Sequence, residues 1–277
     1  MDPQTENQRT GLLAGGNWII DQVKIIDVYP KHEQLANIFD QSQGTGGSPY
    51  NVLLDLAKMG ADFPLQGAGL VGQDSLGQYI LEDCRNHGID PKFISVSPGS
   101  STSYTDVMTE KDGGRRTFFH NRGANATWCG DDLDFAETSA RIFHLGYLLL
   151  LDAIDDADDV HGTRGAALLA KAREAGLKTS IDVVSEDSDR FSRIVGPALK
   201  LVDYCILNEV EASKVTGVKV REEGKLLDDG IEEASSKLFE LGARELVAIH
   251  FPEGSFAQSA GGEKVRHGSL ALPKGYI

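Results

Sequence analysis

The stretch Gly44-Thr45-Gly46-Gly47-Ser48-Pro49-Tyr50-Asn51-Val52 suits a turn that touches a ligand and leads directly into a helix. Gly46 and Gly47 lack a Cβ, so they can take positive φ and let a bound group approach the backbone. Pro49 fits the first helical turn, where its missing N–H costs nothing. Val52, Leu53, Leu56 and Ala57 recur at helical spacing, and Gly60 closes the segment. Such a helix start offers unpaired N–H groups and the positive end of its dipole to whatever fills the turn. Asn51, about one turn in, could point a side-chain amide at the same place. Read alone, these residues are better explained by an ordinary strand-to-helix turn.

Two neighbouring pieces change that reading. Upstream, Gly15-Gly16-Asn17-Trp18-Ile19-Ile20-Asp21 follows the apolar Leu12-Leu13-Ala14; downstream lies Gly69-Leu70-Val71-Gly72-Gln73-Asp74-Ser75-Leu76-Gly77. In this order and spacing the three pieces resemble the amino-terminal half of the ribokinase (PfkB) family of carbohydrate kinases, and the likeness extends from Leu12 onward. The resemblance implies a ribokinase-like three-layer α/β/α sandwich with a mostly parallel sheet and a small β-sheet lid. It implies transfer of the γ-phosphoryl of ATP to a primary hydroxyl of a sugar or related polyol, with Mg²⁺. Under it, Asp21, Gly46, Gly47 and Asn51 hold the acceptor, and Asn125, in Gly123-Ala124-Asn125-Ala126, passes beneath the lid close to the substrate. Asn208 and Glu211, in an Asn-x-x-Glu motif, organise Mg²⁺, its waters and the nucleotide phosphates. Ile249-His250-Phe251-Pro252-Glu253-Gly254 stands where the family has a Thr-x-Gly-x-x-Gly-like nucleotide loop, and only Gly254 is kept. The family's Gly-Ala-Gly-Asp motif, whose Asp is the base for the attacking hydroxyl, has no counterpart before Lys274-Gly275-Tyr276-Ile277. The resemblance therefore implies a base beyond Ile277, or a relative that has lost catalysis.

Each of these residues also has a plainer reading. Asp21, which begins a mixed polar ribbon, could accept two hydrogen bonds from neighbouring hydroxyls or simply face water. Arg116 and Arg122 are sparse cations in an acidic chain and suit either a phosphate or a salt bridge in the lid. Phe118 and Phe119 read as packing. Asn208 with Glu211 also reads as a helix N-cap with an acidic first turn. Asp152, Asp155, Asp156, Asp158 and Asp159 crowd one loop without an EF-hand's glycine and terminal Glu, and read as a solvated acidic helix start. Asp182 ends its strand on the presumed ligand edge, and His250 reads as packing or pocket lining.

The elements that must position these residues follow from periodicity. Leu12 to Ala14, Asp62 to Gly69, Ile142 to Leu151, Lys178 to Val184, Tyr204 to Leu207 and Glu245 to Ile249 read as strands. Helices are expected after Asp74, over Gly165 to Ala175, Val195 to Val202, Glu209 to Val215 and Glu232 to Leu241, several closed by glycine. Alternating strands and helices give a parallel sheet with ligands along the carboxyl ends of its strands. Ile19 to Val28, Glu33 to Gln43, Thr102 to Thr109 and Arg115 to His120 form a separate ribbon sheet, with Asp112-Gly113-Gly114 as a hairpin turn. This places the lid at about residues 17–43 and 101–121 of a domain spanning 12–277; by the resemblance, the lid is also a homodimer contact. Ser269 to Leu272 resembles a further strand, and Lys219 to Asp229 reads as a charged loop. Residues 1–11 are expected to fray.

The formal net charge of −15 argues against a nucleic-acid or anionic-membrane surface. Cys84, Cys129 and Cys205 are scattered and odd in number, which suggests reduced thiols in a cytoplasmic protein. No run is long and apolar enough for a membrane helix. The alternative function is a non-catalytic sugar- or nucleoside-binding regulatory relative of these kinases. A dinucleotide-binding oxidoreductase would need G-x-G-x-x-G after the first strand, which Gly15-Gly16-Asn17 does not supply.

Overall fold

The computed structural model describes residues 9–271. The expected fraying of residues 1–8 and the end of the expected strand at Leu272 lie outside the described residues. Thr10 N–H donates to Ser139 O at 2.9 Å, so the chain is already tied down before the first strand.

In chain order the first half comprises β1 (Leu12–Gly16), β2 (Ile19–Ile26), β3 (Ile38–Gly46), α1 (Ser48–Lys58), β4 (Leu65–Gly72), α2 (Ser75–Asn86), β5 (Asp90–Ser97), β6 (Ser103–Glu110) and β7 (Arg116–Asn121). The second half continues with β8 (Ile142–Leu148), α3 (Asp152–Asp155), β9 (Ala157–Asp158), β10 (Gly162–Thr163), α4 (Arg164–Glu174), β11 (Lys178–Val183), α5 (Phe191–Leu199), β12 (Tyr204–Asn208) and α6 (Glu209–Thr216). It ends with β13 (Arg221–Glu222), β14 (Lys225–Leu226), α7 (Asp228–Leu241), β15 (Leu246–Phe251), β16 (Gly254–Ser259) and β17 (Lys264–Gly268).

The main sheet runs β17-β16-β15-β12-β11-β8-β1-β4-β5. Every pairing from β15 to β5 is parallel, and only β16 and β17 return antiparallel. Burial on both faces shows in β1, whose neighbouring residues Leu13 and Ala14 enter different cores. Leu13 joins the larger core, with β8, β11, β12 and the apolar faces of α4 to α7. Ala14 joins a smaller one, with Tyr50 and Leu53 of α1, Ile80 and Cys84 of α2, and Trp18. The glycines of β4 make room for Trp18: a Cβ at Gly67 or Gly69 would lie 2.6 or 2.3 Å from its ring. The indole Nε1 donates to Ala68 O at 2.8 Å.

The second sheet runs β3-β2-β6-β7 and is the lid. β2 lies parallel to β6, while the β2–β3 and β6–β7 pairs are antiparallel. Gly113 and Gly114 both take positive φ, 91° and 64°, in the β6–β7 turn, as the sequence requires.

Three expectations are corrected, and one element is new. The second lid strand begins at Ile38, not Glu33, and runs through Gly46 straight into α1. The strand expected at Ser269 to Leu272 lies earlier, at β17, and residues 269–271 are not extended into the sheet. Residues 219–229 hold the β13–β14 hairpin and the start of α7. Edge strand β5 was not anticipated.

Candidate active site in the cleft beneath the lid

Lid register puts the first group of side chains in one row. Gly44 pairs with Asp21, Asp21 with Thr105, and Thr105 with His120 across all four strands. Cross-strand partners share a face, so Asp21, Thr105 and His120 project to the same side. Thr105 Oγ1 lies 2.9 Å from His120 Nδ1, and Asp21 is the cross-strand neighbour of Thr105 on the other side. Burial pushes the Asp21 carboxyl above its ordinary value, and the Thr105 hydroxyl partly offsets that. At Gly46 a Cβ would sit 2.3 Å from Asp21 Oδ2, so the carboxylate occupies the space that the missing side chain leaves. Gly47 has φ 94°, and a Cβ there would meet Asn17 O at 2.1 Å. Pro49 lies in the first turn of α1.

The second group comes from the carboxyl ends of the central strands. Asp182 Oδ1 accepts from Tyr147 N–H at 2.6 Å, and Oδ2 accepts from the Ser48 hydroxyl at 2.6 Å. Ser48 Oγ is 3.1 Å from His144 Nε2, and His144 Nδ1 is 3.0 Å from Ser180 Oγ. This buried chain fastens the start of α1 to the ends of β8 and β11. Tyr147 and Leu149 hold positive φ, 57° and 80°, so the segment leaving β8 is strained where it borders the cleft. At β12, Asn208 caps α6 with a full capping box: Asn208 Oδ1 accepts from Glu211 N–H at 2.8 Å, and Glu211 Oε2 accepts from Asn208 N–H at 2.9 Å. Glu211 Oε1 accepts from Ser185 Oγ and Asn208 Nδ2, each at 2.8 Å. Burial pushes the Glu211 carboxyl up to about 7 despite these bonds.

The two groups face one cleft of about 600 Å³. Asp21, Gly47, Asn51, Asn208 and Glu211 all line it, with Gly46 set behind Asp21. Thr105, His120, Tyr147, Asp182, Ser185 and His250 join them, as do the apolar Phe118, Leu150 and Ile206. No Lys or Arg among the described residues lines the cleft. Four other sequence candidates are not among the lining residues. Arg116 projects over the Phe118 ring, 5.7 Å from its centroid, on the exposed lid. Asn125 is buried, and its amide is spent on the backbone of Trp18, at 3.0 Å to the carbonyl and 3.2 Å from the N–H. Gly254 sits in the turn joining β15 to β16, where a Cβ would meet His267 O at 2.1 Å. Arg122 pairs with Asp152 at 2.9 Å. Sequence reasoning missed Thr105, His120, Tyr147 and Ser185, whose roles depend on lid register and the bend after β8. It also missed Asn17, fully buried beside Gly47 with both side-chain polar atoms unpartnered among the described residues.

The pfkB family carbohydrate kinase family matches residues 16–269. The chain belongs to this family. Ribokinase from Staphylococcus aureus is 24% identical over 217 residues, covering 77% of this chain and 66% of that protein, just under two thirds of its length. The structure of Arabidopsis thaliana ribokinase complexed with ribose and ATP superposes with a TM-score of 0.75 at 20% identity, covering 94% of this chain and 78% of that one. Giardia lamblia ribokinase gives a TM-score of 0.77 at 19% identity, over 96% and 78%. The fold is ribokinase-like.

Magnesium can be tested against the donor set of this pfkB-family cleft. Among the described residues there is no group of three or more His, Cys, Asp or Glu side chains placed to hold a metal ion. Both Glu211 oxygens already accept protein hydrogen bonds. The residues therefore fit a magnesium ion carried by nucleotide phosphates and reached through its waters, as this ion commonly allows. They do not fit an all-protein cage.

Proposed function

We propose that the protein is a sugar kinase that transfers the γ-phosphoryl of ATP to a primary hydroxyl of a sugar or related polyol. The observation that carries this reading is that Asp21, Gly47 and Asn51 line the same cleft as Asn208 and Glu211. In this scheme Asp21 accepts two acceptor hydroxyls, while Gly47 and the start of α1 give the substrate close approach to backbone N–H groups. Asn208 and Glu211 hold the waters of the nucleotide-bound ion. When bound, magnesium supplies the positive charge that the triphosphate needs and this cleft lacks. Closure of the lid, which carries Asp21, over the bound acceptor excludes water and favours transfer over hydrolysis.

The deciding experiment is isothermal titration with sugars and with ATP in the presence and absence of Mg²⁺. Asp21→Ala is expected to weaken sugar affinity by about 2–3 kcal/mol, roughly 30- to 150-fold, with an unchanged melting temperature. Unchanged affinity removes Asp21 from the acceptor site. A second reading, a regulator that binds sugar without turnover, is favoured by the prior commitment of both oxygens of Asp182 and Glu211. It predicts binding without phosphoryl transfer.

The outer lid offers a homodimer contact, since the rings of Tyr29 and Phe119 stack at 6.5 Å and both residues are exposed. Sedimentation velocity tests it, and a strictly monomeric species would refute it.

A further inference from the structure

Resting on the kinase reading, we infer that the acceptor is an uncharged polyhydroxyl compound, not a sugar phosphate or sugar acid, and that His120 Nε2 receives one of its hydroxyls.

Proton direction in the lid row sets what the acceptor end of the cleft can bind. Thr105 has one hydroxyl proton, and its cross-strand neighbour Asp21, whose carboxyl that hydroxyl favours in the ionised form, can only accept, so the proton is directed toward Asp21. Thr105 Oγ1 must then accept from His120, 2.9 Å away, which places the imidazole proton on Nδ1. Burial and the nearby Arg122 guanidinium lower the affinity of the ring for a second proton, against a smaller opposing effect from Asp152. Nε2 is therefore a lone-pair acceptor, and it is buried with no partner among the described residues. The acceptor end of the cleft thus presents a carboxylate and an imidazole lone pair side by side, and both require O–H donors. Phosphate and carboxylate oxygens carry no such hydrogen.

Cations could reverse this preference; Arg122, Arg190 and Lys24 are already matched, which leaves Arg116, over the Phe118 ring, as a lid cation with no carboxylate partner among the described residues. Arg122 is paired with Asp152 at 2.9 Å. Arg190 donates to both oxygens of Glu186, at 2.9 and 2.7 Å, and to Leu149 O at 2.8 Å. Lys24 pairs with Asp106, and Arg116 lies over Phe118. A nucleotide arrives with its own divalent ion, whereas an anionic acceptor would arrive beside Asp21 with none.

The test is titration calorimetry of the whole chain with D-ribose, D-fructose, D-glucose and adenosine. Each is paired with its terminal phosphate ester, and glucose also with gluconate. At least one neutral compound is expected to bind, with its charged partner at least about tenfold weaker. His120→Asn keeps a donor toward Thr105 but removes the Nε2 acceptor. It is expected to weaken the neutral ligand about tenfold without lowering the melting temperature. A charged member that binds as tightly as its neutral partner, especially if Arg116→Ala abolishes that binding, overturns the inference and leaves the kinase reading intact. An unchanged affinity in His120→Asn, with Asp21→Ala still disruptive, removes His120 alone. Failure of the wild-type chain to bind any of these compounds sinks the kinase reading itself, and this inference with it.

Discussion

Gly46 and Gly47 are adjacent and serve different purposes, which two substitutions separate. A Cβ at Gly46 meets only the far end of the Asp21 side chain. Gly46→Ala should therefore fold normally but displace the carboxylate, lowering sugar affinity about 10- to 100-fold in titration. At Gly47 the φ of 94° disfavours any side chain, and the clash is with backbone. Gly47→Ala should cost about 1–3 kcal/mol of stability, read as a lower melting temperature. The reverse pattern would contradict the geometry of the turn. Glu211 is a third case, because the capping and ligand readings of Asn208 and Glu211 are compatible: a carboxylate that closes the box still faces the cleft. Glu211→Gln directs an amide NH₂ toward groups that are themselves donors, Ser185 Oγ and the Asn208 amides. Mg²⁺-dependent nucleotide affinity should fall about tenfold or more, and superimposable titrations would end the assignment.

The elements that the sequence makes legible are those whose periodicity is enforced by burial. α4 buries Leu168, Leu169 and Ala172, and α2 is announced by Asp74, which caps it through Gly77 N–H at 2.9 Å. β17 is different: all five residues, Lys-Val-Arg-His-Gly, are exposed, so no alternation marks it as a strand. The aspartate run after β8 misled for a related reason. It reads as solvated, yet Asp155 is 4% exposed and accepts from Leu149 N–H at 3.1 Å, with Arg190 3.6 Å away. Nothing local to residues 152–159 announces a partner on α5's approach. This burial has a measurable consequence for the strained segment between β8 and α3. Desolvation raises the Asp155 carboxyl from 3.8 to about 6, the Leu149 N–H and Arg190 only partly opposing it. A folded-state value above the unfolded one means the folded state binds the proton more tightly. The associated stability is complete below pH 3.8 and is lost as pH rises through about 6. Asp155→Asn keeps an acceptor for Leu149 and cannot ionise. Its stability relative to wild type should climb across that window by up to about 3 kcal/mol, followed by thermal melts at successive pH values. A difference that does not vary with pH would show that Asp155 is not desolvated in solution.

For the molecule as a whole, the topology fixes where the chemistry can occur, and the chain had already signalled that topology through alternating strands and glycine-stopped helices. The cleft lies where β8, β11 and β12 end beneath the lid, in a protein of net charge −15. What the sequence could not show is how fully its carboxylates are engaged, because their partners are scattered along the chain. Asp182 accepts from Tyr147 and Ser48, and Glu211 from Ser185 and Asn208, while Asp21 lies beside Thr105 across the lid strands. A general base must be within reach of the proton it removes and able to receive it. Asp182 spends both oxygens on protein donors; in the proposed scheme Glu211 serves the nucleotide side and Asp21 holds hydroxyls that the acceptor keeps. The described residues therefore assemble the binding half of a phosphotransfer site more completely than its proton-accepting half. Binding and turnover should accordingly separate in this 277-residue chain. Sugar and Mg·ATP should titrate normally, while a coupled assay for ADP release returns below about 0.01 s⁻¹, against the roughly 1–100 s⁻¹ of kinases. A rate inside that range, lost in Asp182→Asn but retained in Asp21→Asn, would make Asp182 the base and would require its bond to Ser48 to open when substrate binds.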